Sequence, residues 1–506
     1  MSRAFLSLAF LLTLVSATQP QDVDLTSGAP DPLSANCHKA CSELSSAFGS
    51  AFHWPSNDNF SIWDAKQQEV HPACRVEPSS ATEVSKILDI LVGHWCYFSV
   101  KGGGHSRNAG DSNSVGGVTV DLDRLADVEV LPHANKARVG GGATTIQVYE
   151  ALESRNLSFV GGRVGSVGVG GFTLGGGTSP FSNKYGWSLD NVYEYEVVLA
   201  NSTITTASET HNPDLYFALR GGGNNFGIVT AFTVRTFAQG PVYTSMTTYS
   251  ANQSSQVLDK VYDLHTNKKL ANDKEMGYDL YYTYNSGGDE FILSGMQRYA
   301  KPISNPPVFR AVDQIPTLSR STNVGPMSQA AGGTEALGTT RHLFATLSIS
   351  PSREFFSEGL RIFEEEVGSI KSVPGLVPNF ITYPIQRNAI TAMRQRGGNA
   401  LGIDRDDPLF FHEVILISTA WSNSTDDAAV GKMTENVIGR LNATAQDMGI
   451  ANRYKYMNYA SAEQVSSIFA GYGDENVQKL KQIQRAVDPR GIFTSKGLWR
   501  GFVKLI

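Results

Sequence analysis

Val100-Lys101-Gly102-Gly103-Gly104-His105-Ser106 is the stretch on which the reading of this chain turns. Three consecutive glycines strip one short loop of side chains, so a planar or phosphorylated ligand can come close to its backbone amides. A single imidazole stands at the end of that bare surface. The run Trp95-Cys96-Tyr97-Phe98-Ser99-Val100 ahead of it reads as a buried strand holding the loop at a strand end, where ligands bind in layered α/β structures. His105 is therefore a candidate to touch a ligand. Taken alone, the stretch reads more simply as a glycine turn followed by a hydrogen-bonded histidine, and the rest of the chain must decide.

Downstream, residues 161–177 carry glycine at a density that is costly to order: Gly161-Gly162-Arg163-Val164-Gly165-Ser166-Val167-Gly168-Val169-Gly170-Gly171-Phe172-Thr173-Leu174-Gly175-Gly176-Gly177. Close backbone approach to a ligand explains it. A low-complexity linker fits less well, because Val167, Val169, Phe172 and Leu174 alternate with the glycines and would pack. A strand is expected over 190–199 and a short helix over 214–220, then a third loop, Gly221-Gly222-Gly223-Asn224-Asn225-Phe226-Gly227, and a strand over 228–237. Three such loops make a cradle for a pyrophosphate and a ring system. Upstream, Ser80-Ala81-Thr82-Glu83 is a capping box, with Val84, Ile87, Leu88 and Leu91 on one helix face. Residues 117–122 alternate like a strand, 128–139 like a hairpin, and Thr144 or Thr145 can cap a helix through Leu152. This order predicts an α+β nucleotide-binding domain. No Gly-x-Gly-x-x-Gly fingerprint, Gly-Lys-Ser/Thr phosphate loop or Gly-x-Ser-x-Gly elbow occurs, which disfavours nicotinamide dinucleotides, ATP and hydrolase chemistry on their usual folds.

The 506 residues can bury at least two cores, and 41% apolar with 18% charged residues is globular composition. A net charge of −6 without a basic run argues against nucleic acid as a partner. Met1-Ser2-Arg3, an apolar stretch from Ala4 to Val15, and Val15-Ser16-Ala17 read as a secretory signal peptide over 1–17. That run falls short of the roughly 20 apolar residues of a membrane span. In an oxidising compartment, Cys37, Cys41, Cys74 and Cys96 imply two disulfides in any of three pairings; the spacing fits no metal motif. Asn59, Asn156, Asn201, Asn252, Asn423 and Asn442 begin glycosylation sequons, so N-glycans are expected on a secreted or luminal protein.

The chain divides as a disulfide-bearing segment over 18–68, the glycine-loop domain over 69–240, a substrate domain over 241–453 and a closing segment over 454–506 that returns to the first domain. In the substrate domain a hairpin is expected over 278–284 and 290–299, strands over 342–350 and 409–420, and helices over 353–367 and 427–448. An antiparallel sheet with helices on one face fits, and it could roof the cradle.

Together these motifs resemble the berberine bridge enzyme-like flavoproteins, within the vanillyl alcohol oxidase and p-cresol methylhydroxylase-type FAD proteins, and most closely fungal FAD-linked oxidoreductases of natural-product pathways. The resemblance implies an α+β fold with a two-part FAD-binding domain beside a substrate domain. Lys101, Gly102, Gly103, Gly104, His105 and Ser106 match the family's flavin loop, so His105 would carry the covalent bond to the 8α-methyl of FAD. Aligning Val167-Gly168-Val169-Gly170 places Val164 where many relatives have a second attachment cysteine, which implies a single link. Gly165, Ser166, Val167, Gly168, Gly171 and Gly175 would complete the cofactor loop, Ile228 and Val229 would hold the adenine, and the valine at 167 resembles the oxidases. Tyr456 and Asn458 match the Tyr-x-Asn pattern near flavin and substrate.

Oxidation at flavin needs a C–H aimed at the ring and a base for the accompanying proton. Tyr456 is the first candidate for that base or its orienting partner, and Glu413, beside His412, is the alternative. His412 and Glu413 point to opposite faces of a strand, so they cannot both meet the substrate. Tyr185 and Trp187 could line the pocket or simply pack. The expected activity is transfer of a hydride from a small organic substrate to FAD, with dioxygen giving hydrogen peroxide. An FAD-dependent cyclase or isomerase, a carbohydrate oxidase and a flavin-binding protein without catalysis stay open as alternatives.

Overall fold

The computed structural model describes residues 32–332, 336–403 and 412–506; the expected signal peptide and the segment up to residue 31 lie outside the described residues. Around the histidine loop the chain forms a four-stranded sheet in the order Phe52–His53, Cys74–Val76, Val118–Asp121, Phe98–Lys101. Its last two pairings are parallel. Parallel strands need a crossover, and helix Ala81–His94 supplies it. Ser80 caps this helix by accepting from the Glu83 N–H at 3.2 Å, while the Glu83 carboxylate turns to the N–H and hydroxyl of Ser79. The strand begins at Phe98, three residues later than the sequence suggests. Trp95 ends the helix in a left-handed conformation (φ 55°) and is exposed, so the first part of the apolar run serves the turn.

Helix Pro32–Phe48 carries Cys37 and Cys41 four residues apart, hence on one face. The pairings are Cys37–Cys96 and Cys41–Cys74, which rivet that helix across the sheet. The bridges span 59 and 33 residues, so replacing either pair by alanine is expected to lower stability by about 3–4 kcal/mol. Urea unfolding of the Cys41→Ala/Cys74→Ala variant measures it.

Helix Ala81–His94 also packs on an antiparallel five-stranded sheet, Val128–Val130, Lys136–Gly140, Ile228–Arg235, Val192–Val198, Ile204–Ser208, sharing a core with Val198 and Ile228. The third sheet has eight strands in the order Ser319–Gly325, Val242–Tyr249, Glu290–Tyr299, Met276–Asn285, Val377–Ile385, His412–Trp421, Arg341–Ile349, Ala451–Asn452. Alternation along these strands decides what each face meets. Leu280, Tyr282, Leu347, Ile349, Ile415 and Ile417 share a core with helices Ser254–Thr266, Arg353–Gly368 and Asp427–Asp447. Tyr383, Ile385 and Val414 instead join the core of the glycine-loop domain. The fold is thus α+β, with an antiparallel sheet covered by helices on one side and roofing the loops with the other.

The segment over 454–506 packs on the glycine-loop domain. Trp499 bridges to Phe98 in parallel, and helix Asp474–Val487 packs into the core of the glycine-loop domain. All six sequon asparagines are exposed. Among the described residues no helix is long and apolar enough to cross a membrane.

Candidate functional site

The glycine loops meet each other before they meet any ligand. A Cβ on Gly103 would stand 2.4 Å from the Cα of Gly168, and one on Gly168 would stand 2.3 Å from the Gly103 nitrogen. Gly102 and Gly170 crowd the Gly141 carbonyl at 3.1 and 2.7 Å, and Gly141 crowds that of Val229 at 2.5 Å. Gly165 abuts the Gly332 carbonyl, and Gly175 admits the side chain of Asn458. Most of the glycine density between 161 and 177 therefore lets chain pack on chain, which corrects the expectation that a ligand accounts for it. Helix Val169–Leu174 even forms inside this stretch. Gly171 is the exception: it is exposed, with no atom within 4 Å of where its Cβ would be. Gly102, Gly103, His105, Ser106, Ser166 and Val167 also keep accessible surface. What remains is a strip of bare backbone ending in one imidazole, which fits a flat cofactor lying against it.

Lys101 is not part of that strip. Its ammonium is buried with Asp121 Oδ1 at 2.9 Å and Asp123 Oδ1 at 2.6 Å, so it anchors the loop from below. Ser106 donates to Asp111 Oδ2 at 2.5 Å, and Asp111 Oδ1 accepts from the Phe502 N–H at 2.5 Å. Ile228 and Val229 are buried at the start of their strand, where Gly141 meets the carbonyl of Val229.

The His105 ring stacks on Trp63 with centroids 3.8 Å apart, and the other face of Trp63 takes His342 at 3.9 Å. Buried Asp64 accepts from the His342 N–H at 2.7 Å and lies 3.1 Å from His342 Nδ1. Arg107 lies over the Phe344 ring at 4.5 Å and donates to the Ala460 carbonyl at 2.7 Å. Burial lowers its pKa to about 10, and its Nε has no hydrogen-bond partner. Sequence reasoning missed Trp63, Asp64, Arg107 and His342, since no local pattern joins residues 278 positions apart.

Tyr456 and Asn458 are brought together at the far end of the strip. Tyr456 Oη accepts from the N–H groups of Gly177 (3.0 Å) and Thr178 (3.2 Å) and from Asn458 Nδ2 (2.9 Å), which also donates to the Phe172 carbonyl at 3.0 Å. Burial pushes the phenol up to about 12, although its three donors pull the other way. Three hydrogen bonds thus fix the Tyr456 hydroxyl, which in turn orients Gly177, Thr178 and Asn458. Tyr456→Phe would orphan two buried N–H groups and is expected to cost about 1–3 kcal/mol, readable as a fall in Tm. Trp187 sits edge-on to Tyr456 at 5.1 Å, whereas Tyr185 packs on Phe237 at 4.1 Å and serves the core.

Glu413 is not brought to this site. It is fully buried on the helix-covered face of the large sheet, accepting from Thr382 Oγ1 and lying 3.3 Å from His265 Nδ1. The alternation that puts Ile415 and Ile417 against the helices puts Glu413 there too, so its proposed role as the catalytic base is withdrawn. The side chain of His412 lies outside the described residues.

Fold and cradle define an FAD-binding oxidoreductase. Residues 72–208 match the FAD binding domain family. An FAD-dependent monooxygenase, tpcD, of Cochliobolus heterostrophus is 34% identical over 491 residues, covering 91% of this chain and 93% of that one. Glucooligosaccharide oxidase from Acremonium strictum, described with a 6-S-cysteinyl, 8α-N1-histidyl FAD, superposes with a TM-score of 0.72 at 21% identity, covering 93% and 99% of the two chains. A variant of berberine bridge enzyme gives 0.74 at 15% identity, covering 92% and 100%. The chain belongs to the family of fungal FAD-linked oxidoreductases that includes tpcD, shares its fold with berberine bridge enzyme, and is an FAD-dependent enzyme.

Proposed function

We propose that this enzyme is an oxidase that holds FAD through a single covalent bond to His105 and dehydrogenates a small organic metabolite. One observation carries the single link. All four cysteines of the chain are closed in disulfides, and Val164 stands where the second attachment residue of relatives would align. FAD supplies a two-electron acceptor. The Trp63 stack holds the plane of the His105 ring, and Tyr456 with Asn458 fixes the backbone at Gly177 and Thr178. The Val167 carbonyl accepts from both the N–H (2.8 Å) and the hydroxyl (2.9 Å) of Thr145, which sets the direction of its small side chain. A valine there leaves room for dioxygen, which takes two electrons and two protons and leaves as hydrogen peroxide. Two disulfides and six exposed sequons support a secreted or luminal location with N-glycans.

The test is turnover under ¹⁸O₂ with candidate natural-product substrates, reading peroxide, product mass and label. One peroxide per dehydrogenated product without label supports the oxidase. Label in the product would replace it with monooxygenation, and an isomeric product without peroxide would replace it with cyclisation.

A further inference from the structure

A cavity opens where the glycine-rich loop meets the flavin-facing side of the large sheet, with Arg163, Thr178, Asn183, Asp279, Arg298 and Tyr383 among its walls. Its charge does not balance. Arg163 Nε lies 3.3 Å from Asp279 Oδ2, and Arg298 Nη1 donates to that same oxygen, so two guanidinium groups share one carboxylate. Among the described residues the cavity walls carry no other ionisable acid. Arg163 is held in place by Thr178 Oγ1 at 2.8 Å and by the Tyr383 ring 4.6 Å beneath it. Asp279 and Arg298 are both buried, where an uncompensated positive charge is costly.

The hydrogen-bonding ledger is short in the same direction. Of the buried wall atoms without a partner, Arg298 Nε, Tyr278 Oη and Tyr383 Oη can donate, against one acceptor, Asn183 Oδ1. Burial also holds the Tyr383 phenol well above its ordinary pKa, so it remains a donor. The unused donors outnumber the one unused acceptor, and together with the surplus charge they ask for an anionic acceptor. The cavity also adjoins the Tyr456 site: Trp187 is one of its walls, and the Thr178 N–H donates to Tyr456 Oη at 3.2 Å.

We propose that this cavity binds an acidic group of the substrate, a carboxylate or an ionised enol, between Arg163 and Arg298. The inference rests on the reading of this site as the oxidation site and adds the substrate's chemical class. Planar carboxylates suit the forked donors of arginine, and Asp279 fixes both forks while cancelling only one charge.

The test uses the flavin-loaded enzyme titrated with acetate and benzoate, against acetamide and benzamide as neutral controls. Calorimetry reads binding whether or not flavin is involved, and the visible flavin bands read whether the guest lies beside it. The carboxylates are expected to bind about tenfold or more tightly than the amides and to shift the flavin bands. Arg163→Gln should remove that preference. Asp279→Asn, which keeps the shape and adds one net positive charge, should tighten carboxylate binding; a merely structural Asp279 would loosen it. Equal binding of acids and amides, no binding, or weaker binding in Asp279→Asn would overturn the proposal. Carboxylate binding without a flavin shift would overturn the assignment to the oxidation site. Carboxylate binding by a chain that holds no flavin would uphold the anion pocket and sink the flavin reading alone.

Discussion

Replacing His105 by alanine is expected to leave a protein that folds but carries no acid-stable flavin. Wild-type protein precipitated with acid should keep its yellow colour in the pellet; the His105→Ala pellet should be white, the flavin passing to the supernatant. The fold is expected to survive because His105 is partly accessible and stacks on Trp63, while the fastening of the loop runs through Lys101, Ser106 and Asp111. Stability should change in kind. A ligand held only by equilibrium binding adds RT ln(1 + [L]/Kd), about 2.7 kcal/mol at a hundredfold excess over Kd. The Tm of the variant should therefore rise with added FAD while that of the wild type does not move. Colour that stays in the variant pellet would mean a second attachment residue and end the single-link reading.

Gly168→Ala is expected to do more damage than any change to the residues that face the ligand. The new methyl would stand 2.3 Å from the nitrogen and 2.6 Å from the Cα of Gly103, and neither atom can step aside by changing rotamer. Overpacking of this kind costs about 1–3 kcal/mol and occasionally more, and with backbone on both sides the upper end applies. A domain stable by about 5–15 kcal/mol would lose much of its margin. Low soluble yield and loss of bound flavin, with His105 intact, are the readouts. Gly171→Ala is the contrast: its methyl meets open space, and alanine is the better helix former by up to about 1 kcal/mol. That variant should unfold no earlier than the wild type but load less flavin, because the methyl occupies the face left for the cofactor. Early unfolding of Gly171→Ala, or normal flavin in Gly168→Ala, would contradict this division of labour among the glycines.

Local signals were legible in the sequence where the chemistry itself is local. The Ser80 cap, the hairpin of Met276–Asn285 with Glu290–Tyr299 and the helix Arg353–Gly368 all follow from spacing and caps within a few residues. Pairing of the cysteines was not legible, because nothing in the sequence marked 37–41 as helix, and a shared helix face does not say which distant cysteine each one meets. Glu413 shows the limit of strand alternation. Alternation establishes that His412 and Glu413 face opposite ways, but not which side the helices cover. Helix Val169–Leu174 hid among glycines, which disfavour helix, and it persists because packing outweighs propensity. The histidine loop was legible as a stretch of bare backbone, whereas the sandwich of His105, Trp63 and His342 depends on three chain segments that only the fold brings together.

The clamp on the histidine loop is supplied late. Asp111 receives the N–H of Phe502, 391 residues further on, and Asn225 of the third loop accepts from the Leu505 N–H while donating to the Val503 carbonyl. Because ribosomes build from the amino end, the loop must wait unfastened while the 391 residues from Asp111 to Phe502 are added. Cofactor attachment then belongs after synthesis, when this last stretch has docked. A bulky insertion within residues 501–505 would compete with that docking and should lower flavin loading.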